Sequence, residues 1–201
     1  LREGYKHPLQ RTGIALTRLA MNRLNTQVVV ALCSQGIPAV AVQPSACMTV
    51  RAGKIVFANL APIKRMISIG LVPVLYGDVV PDLQLGVTIL SGDQIVSCLA
   101  EKLRARRVIL GVDVDGVFTD NPKLNKEARF LPLITTKTWK SLSFGLEDSS
   151  KDVTGGMKNK VEELLRLAKL GIESEIANAL KPGVIERLVA GERGLGTIVR
   201  G

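Results

Sequence analysis

One histidine, His7, stands in a chain of 201 residues. A single imidazole nearly excludes His-based catalytic triads and His-rich metal clusters. Cysteine is scarce as well. Cys33, Cys47 and Cys98 are odd in number, far apart and form no Cys-x-x-Cys. That spacing disfavours a disulfide framework or a zinc site and suits a reducing compartment. Aromatic residues make up 3% of the chain, with one Trp, so few rings exist to stack on nucleic acid bases. No apolar run is long enough to cross a bilayer, and no secretory pattern opens the chain. Three fingerprints are missing too: the Walker A loop, the Gly-x-Ser-x-Gly elbow, and a Gly-x-Gly-x-x-Gly after a strand. A P-loop kinase, a serine hydrolase of that type and a Rossmann dinucleotide site all lose their signature.

What remains is aliphatic and basic. Hydrophobic residues reach 46% and the formal charge is +9. A core of Val, Ile, Leu and Ala suits strands buried on both faces. The local basic cluster Lys102-Leu-Arg-Ala-Arg106-Arg107 closes an expected helix, where the helix dipole favours cations. With no helix-turn-helix, zinc-finger or RNA-recognition signature, the charge is better read as attraction for small, highly phosphorylated ligands than for nucleic acid.

Periodicity predicts a helix over 11–35 closed by Gly36, with Ile14, Leu16, Leu19, Leu24, Val28 and Leu32 as its apolar face. A strand at 38–43 and a hairpin at 48–57 follow. Next come a helix from Leu60 to Ile69 stopped by Gly70, a strand from Leu71 to Tyr76, and a second hairpin from Val79 to Leu90. Ile95, Leu99 and Leu103 mark a helix that starts near Gly92. Val108 to Val112 reads as a strand, residues 119–132 as a loop, and Thr135–Leu142 as a short helix. The rest reads as a helix after Gly155-Gly156, a strand at 172–177, a helix at 182–190 and a final strand at 196–199. Alternating strands and helices predict an α/β protein with a largely parallel sheet covered on both faces, in one domain over 1–201. Ligands of such sheets bind at the carboxyl ends of strands. Gly77-Asp78, Asp113-Val-Asp-Gly116 and the loop before Gly155 fall there.

The most informative segment is Ser150-Lys-Asp-Val-Thr-Gly155-Gly156-Met-Lys-Asn-Lys160. Glycines permit close backbone approach to a ligand, and a helix start adds unpaired N–H donors and a positive dipole end. Lys158 and Lys160 lie where that dipole disfavours cations, which makes sense if a phosphate also sits there. Glycine-led helix starts, a lysine and strand-end carboxylates together fit phosphoryl transfer, which needs positioning and positive charge more than covalent chemistry. Backbone amides at Gly92 and Gly156 could cradle phosphates, and Lys160 could neutralise transition-state charge. Asp113 or Asp115 could orient a lysine, a ribose or a magnesium-bound water. Asp115-Gly116 is equally at home in a simple turn.

These residues resemble the amino acid kinase family. The matching segments are Ile37-Pro-Ala-Val-Ala-Val-Gln-Pro-Ser45, Gly70-Leu-Val-Pro-Val-Leu-Tyr-Gly-Asp-Val-Val80, Ile89-Leu-Ser-Gly-Asp-Gln-Ile-Val96, Asp113-Val-Asp-Gly-Val117, Asp152-Val-Thr-Gly-Gly-Met157 with Lys160, and Gly196-Thr-Ile198. Gly-Asp-Val-Val and Val-Gln-Pro-Ser favour the members that phosphorylate isopentenyl phosphate. The resemblance implies a three-layer αβα sandwich with a mostly parallel central sheet. It implies transfer of the ATP γ-phosphoryl group to isopentenyl phosphate, with Mg2+, in a cytoplasmic homodimer. It places Gly92, Gly77 and Asp78 at the acceptor and Asp113, Gly155, Gly156 and Lys160 at ATP, with Lys160 catalytic and no protein-held metal. A fosfomycin-type phosphate or phosphonate kinase, or a non-catalytic nucleotide-binding domain, would share the fold. The family also has a Lys-x-Gly-Gly-Ser strand and a Gly-rich loop ending in His, neither of which is present. The expectation is therefore a piece lacking an N-terminal portion and weak as a kinase alone. His7 is expected to be an exposed loop residue outside the site.

Overall fold

The computed structural model describes residues 4–142 and 156–201. Ser150 to Gly155, in the Gly-Gly segment above, lie outside the described residues. The chain divides into two compact units, Leu1–Ile95 and Val96–Gly201.

The first unit opens with α1 (Gln10–Ser34), followed by β1 (Ala39–Ala41), α2 (Pro44–Cys47), β2 (Met48–Arg51), β3 (Lys54–Ala58) and α3 (Ala61–Ser68). It continues with β4 (Val72–Val74), β5 (Asp78–Asp82) and β6 (Gly86–Leu90), and α4 (Gly92–Leu103) begins in it and ends in the second unit. β1 and β4 pair in parallel, and the other strands form a sheet in the order β3-β2-β5-β6. Both expected hairpins are present, β2–β3 and β5–β6. The glycine stops work as read. Ile37 N donates to Leu32 O and Gly36 N to Cys33 O, and Leu71 and Gly70 repeat the pattern on Met66 and Ile67. This double bond closes a helix end by satisfying its last carbonyls.

The helix α1 corrects one expectation. Leu16, Leu19, Leu24 and Val28, assigned to its apolar face, are 60%, 44%, 52% and 41% exposed. Ile14 and Leu32 do lie on the inward face as expected, but they share it with Arg18, Met21, Asn22, Asn25 and Val29, and Asn25 is the buried residue. Aliphatic residues surround this helix, so periodicity alone did not pick a face. Polar residues took the inner side because each finds a partner there, as described below. The four-residue α2 was not foreseen. Pro44 starts it, where the missing N–H costs nothing.

Asp82 ties the two hairpin turns together. Its carboxylate accepts from Ala52 N at 3.1 Å, Gly53 N at 2.8 Å, Gln84 N at 2.8 Å and Leu85 N at 2.9 Å. Burial would raise its pKa, but four backbone donors outweigh that and hold it at about 2. The unfolded value is about 3.9. A depressed folded pKa contributes stability that is present above the unfolded value and lost as pH falls through the folded one. Asp82→Asn should therefore unfold earlier than wild type in urea at pH 6. The gap between them should shrink as pH is lowered from about 4 towards 2. A gap that is constant over that range would show that the carboxylate charge is not the cause.

The second unit holds β7 (Arg107–Val112), β8 (Leu133–Thr135), α5 (Trp139–Leu142), α6 (Gly156–Ala168), β9 (Glu173–Asn178), α7 (Val184–Val189) and β10 (Thr197–Arg200). Its sheet runs β7-β9-β10-β8. β7 and β9 are parallel, β8 and β10 are parallel, and β10 is antiparallel to β9. The fold is thus α/β with mixed sheets. Val161, Leu164, Leu165 and Ala168 recur at helical spacing on α6 and are buried. Val161, Leu164 and Leu165 join a core with Val108, Val117, Ile134, Ile176 and Val199. Each such aliphatic side chain contributes about 1.5–3 kcal/mol on burial. Among the described residues no helix is long and apolar enough to cross a membrane.

Candidate functional site

In the first unit, the parallel pair β1 and β4 ends together, with Ala41 opposite Val74. The chain leaving β1 carries Gln43 and Ser45, and the chain leaving β4 carries Tyr76, Gly77 and Asp78. Their meeting at the carboxyl ends of parallel strands is where a ligand is expected. Gly77 lies against the start of α4: a Cβ built on it would stand 3.5 Å from Gly92 N and from Leu90 O. The structure thus brings Gly77 and Gly92 together. Gly92 is exposed and a Cβ there would meet nothing within 4 Å, so open space faces this helix start.

The α4 start is closed by a capping box. Gln94 N donates to Ser91 Oγ at 3.2 Å, and Ser91 N donates to Gln94 Oε1 at 3.3 Å. The reciprocal pair fixes the angle at which the helix leaves β6. Gln94 Nε2 also donates to Gly53 O at 3.1 Å, which anchors the helix start to the β2–β3 turn.

Asp78 is a different kind of residue from its glycine neighbour. Its side chain has 0% exposure and is fully engaged. Ser45 N donates to Oδ2 at 3.0 Å, Val79 N to Oδ1 at 2.8 Å, and Arg18 Nε lies 3.6 Å from Oδ1. Arg18 Nη2 and Gln43 Nε2 both donate to Ser45 Oγ, at 2.7 and 2.8 Å. Burial, with a further push from Asp78 against a pull from Arg18, raises the Tyr76 phenol above its ordinary value. Burial and Asp78 likewise raise the Cys47 thiol.

In the second unit, Asp113 and Asp115 follow β7, whose last residue Val112 is opposite Asn178 at the end of β9. Both carboxylates are exposed and paired. Lys123 Nζ hydrogen-bonds Asp113 Oδ2, and that contact holds the Asp113 carboxyl below the usual range. Lys181 Nζ lies 2.7 Å from Asp115 Oδ1, and Asn178 Nδ2 donates to the same oxygen at 2.9 Å. Lys181 first and Asn178 second lower the Asp115 carboxyl. The loop after Asp115 is pinned from below: Val117 N donates to the buried Thr197 Oγ1 at 2.8 Å, and that hydroxyl donates to Leu131 O at 2.7 Å.

Gly156 opens α6 with φ +61°, and Lys158 and Lys160 follow on the helix, both half-buried. The first turn carries no acidic residue. Gly155 lies outside the described residues. His7 is exposed, and its Nδ1 accepts from Leu9 N at 3.2 Å beside the start of α1. Among the described residues no group of three or more His, Cys, Asp or Glu side chains could hold a metal ion.

Sequence reasoning missed Arg18, Asn22 and Asn25 as partners of the segment from Val74 to Asp78, and Lys123, Lys181 and Asn178 as partners of the strand-end carboxylates. The spacing of 18, 22 and 25 on one helix face was the available signal for the first three. The others pair across sequence separations that no local pattern encodes.

The model of the amino acid kinase family matches residues 2–178. The chain is 46% identical over 195 residues to the isopentenyl phosphate kinase of Methanothermobacter thermautotrophicus, covering 96% of this chain and 72% of that protein. It is 35% identical over 190 residues to the isopentenyl phosphate kinase of Arabidopsis thaliana, covering 88% of this chain and 57% of that protein. A crystallised isopentenyl phosphate kinase superposes with a TM-score of 0.84 at 40% identity, over 98% of this chain and 75% of its own.

Proposed function

This chain belongs to the amino acid kinase family, and on that premise we propose that its protein transfers the γ-phosphoryl group of ATP to isopentenyl phosphate, giving isopentenyl diphosphate. The observation that carries the proposal is the paired Gly77–Gly92 surface at the start of α4, in a chain 46% identical to an isopentenyl phosphate kinase. Backbone N–H groups at a helix start suit a phosphate acceptor. Gly77 and Gly92 lie against the acceptor phosphate, and Asp78 holds the Gly77 segment from behind. Asp113, Gly155 and Gly156 belong to the ATP side. Lys160 is the catalytic cation, neutralising charge on the transferring phosphoryl group. Magnesium enters as the MgATP substrate, since such ions bind chiefly through nucleotide phosphates and water. The reaction is that of a single kinase domain, cytoplasmic and homodimeric. The assay is formation of isopentenyl diphosphate by purified full-length protein with ATP and Mg2+, read by mass spectrometry. Absence of product under saturating substrates would overturn the proposal.

Gly92→Val tests the acceptor side without disturbing the fold, because a side chain there enters open space. The expected result is a rise in KM for isopentenyl phosphate of about tenfold, the loss of one charge-assisted hydrogen bond of roughly 1.5 kcal/mol. KM for ATP should move much less. Equal rises for both substrates would count against the assignment.

A further inference from the structure

Three polar residues of α1 meet three alternate residues of the connection from β4 to β5. Asn25 Nδ2 donates to Val74 O at 3.1 Å, the Tyr76 hydroxyl donates to Asn22 Oδ1, and Arg18 pairs with Asp78. Positions 18, 22 and 25 share one face of a helix, and positions 78, 76 and 74 are every second residue of the segment they meet. The helix therefore runs antiparallel to the segment it holds. Asn25 is 4% exposed, Asp78 is 2% exposed, and the ladder lies on the same inward face as Ile14, Met21, Val29 and Leu32. Such a face is otherwise costly, since a buried polar group must be hydrogen-bonded. Each rung here is satisfied. The rung at Asp78 closes into a ring, because Arg18 also donates to Ser45 Oγ and Ser45 N donates to Asp78. Gly77 is the residue between the last two rungs.

We propose that Arg18, Asn22 and Asn25 are positioning residues that fix the Gly77 backbone against Gly92, so that the register of α1 sets the acceptor-phosphate site. None of the three touches the acceptor phosphate. They act through Val74, Tyr76 and Asp78. A polar ladder suits this task better than aliphatic packing, because hydrogen bonds have one register while an apolar face tolerates sliding. The raised phenol of Tyr76 agrees with a group held as a neutral donor.

The inference rests on the acceptor reading above, and its test separates the two. Full-length Arg18→Met, Asn25→Leu and Asp78→Asn are compared with wild type in steady-state kinetics and in amide hydrogen exchange. The expected result is a rise of about tenfold in KM for isopentenyl phosphate with KM for ATP changed less than twofold. Arg18→Lys should recover part of the loss, and Arg18→Met combined with Asp78→Asn should lose less than the two singles multiplied. Exchange at residues 75–78 should rise at least tenfold in Arg18→Met, with exchange in β7 and β9 unchanged. Equal changes in both KM values, or none, would overturn the inference, as would wild-type exchange at 75–78. If wild-type protein fails to phosphorylate isopentenyl phosphate, the functional proposal falls, and the exchange measurement alone decides the ladder.

Discussion

Replacing Lys160 with alanine is expected to lower turnover of the full-length enzyme by roughly ten- to a thousandfold, the usual range for loss of one group that stabilises transition-state charge. Lys158 and Lys160 follow Gly156 at the start of α6, with no acidic residue in the first turn. A cation near a helix N-terminus opposes the dipole. A phosphoryl group bound at that terminus reverses the sign of the interaction. As negative charge moves onto the leaving and transferring oxygens, a lysine at that point gains energy that it lacks in the ground state. The loss should therefore appear in kcat more than in either KM. Lys158→Ala serves as the internal comparison and should cost less. The core-facing stripe of α6, Val161, Leu164 and Leu165, is untouched by either change, so melting temperatures should stay within a few degrees. Near-normal turnover of Lys160→Ala would remove the assignment.

Much of the fold could be read from local pattern. Gly36 and Gly70 ended helices where expected, because a helix stop depends on a few neighbouring residues. Val161, Leu164, Leu165 and Ala168 recur at helical spacing and are buried together, because a polar face on α6 leaves one apolar side. The reverse held for α1. With aliphatic residues on every side, the partners chose the face, and the deciding contacts were Asn25 to Val74 and Arg18 to Asp78, 49 residues apart in the first case. Strand β8 is not foreseen by the sequence: Leu133 and Ile134 fall between the expected loop and the expected helix, and Thr135 is read as that helix's first residue. Leu133-Ile-Thr is too short to show alternation, and it becomes a strand only because β10 lies beside it. The candidate site shows the same division. Gly77 and Gly92 were marked by their places at strand and helix ends, and the structure puts them in contact distance. The family resemblance places Asp78 beside them, but its side chain is buried against Arg18 and Ser45. Lys123 and Lys181 reach Asp113 and Asp115 from later loops, a distance that sequence spacing does not encode.

Gly196→Ala is expected to be among the most damaging single changes, although Gly196 touches no proposed substrate. A Cβ at this position would stand 2.0 Å from Ile176 O and 2.8 Å from Ala177 Cα. Both atoms belong to the backbone of β9, so no side chain can turn aside to make room. Two further ties hold the segment. Leu195 N and Gly196 N both donate to the buried Glu175 carboxylate, at 2.7 and 3.0 Å. Moving the segment away from β9 would break these bonds and leave the carboxylate short of donors, which adds to a packing strain of about 3 kcal/mol. The consequence reaches the Asp113–Gly116 segment through the next residue. Thr197 Oγ1 holds Val117 N and Leu131 O, the two ends of the loop that begins just after Asp113-Val-Asp-Gly116. Thr197→Val keeps the shape and removes the hydroxyl, leaving the buried Val117 N–H and the half-buried Leu131 carbonyl without that partner. It should cost about 2 kcal/mol and raise KM for ATP more than KM for isopentenyl phosphate. Gly196→Ala should do both to a greater degree, with a lower denaturation midpoint and a loss of soluble protein. Thermal unfolding of the two variants beside wild type checks the order. A Gly196→Ala protein as stable as wild type would show that β9 and the segment before β10 can separate without loss, against the close backbone contact seen at Ile176.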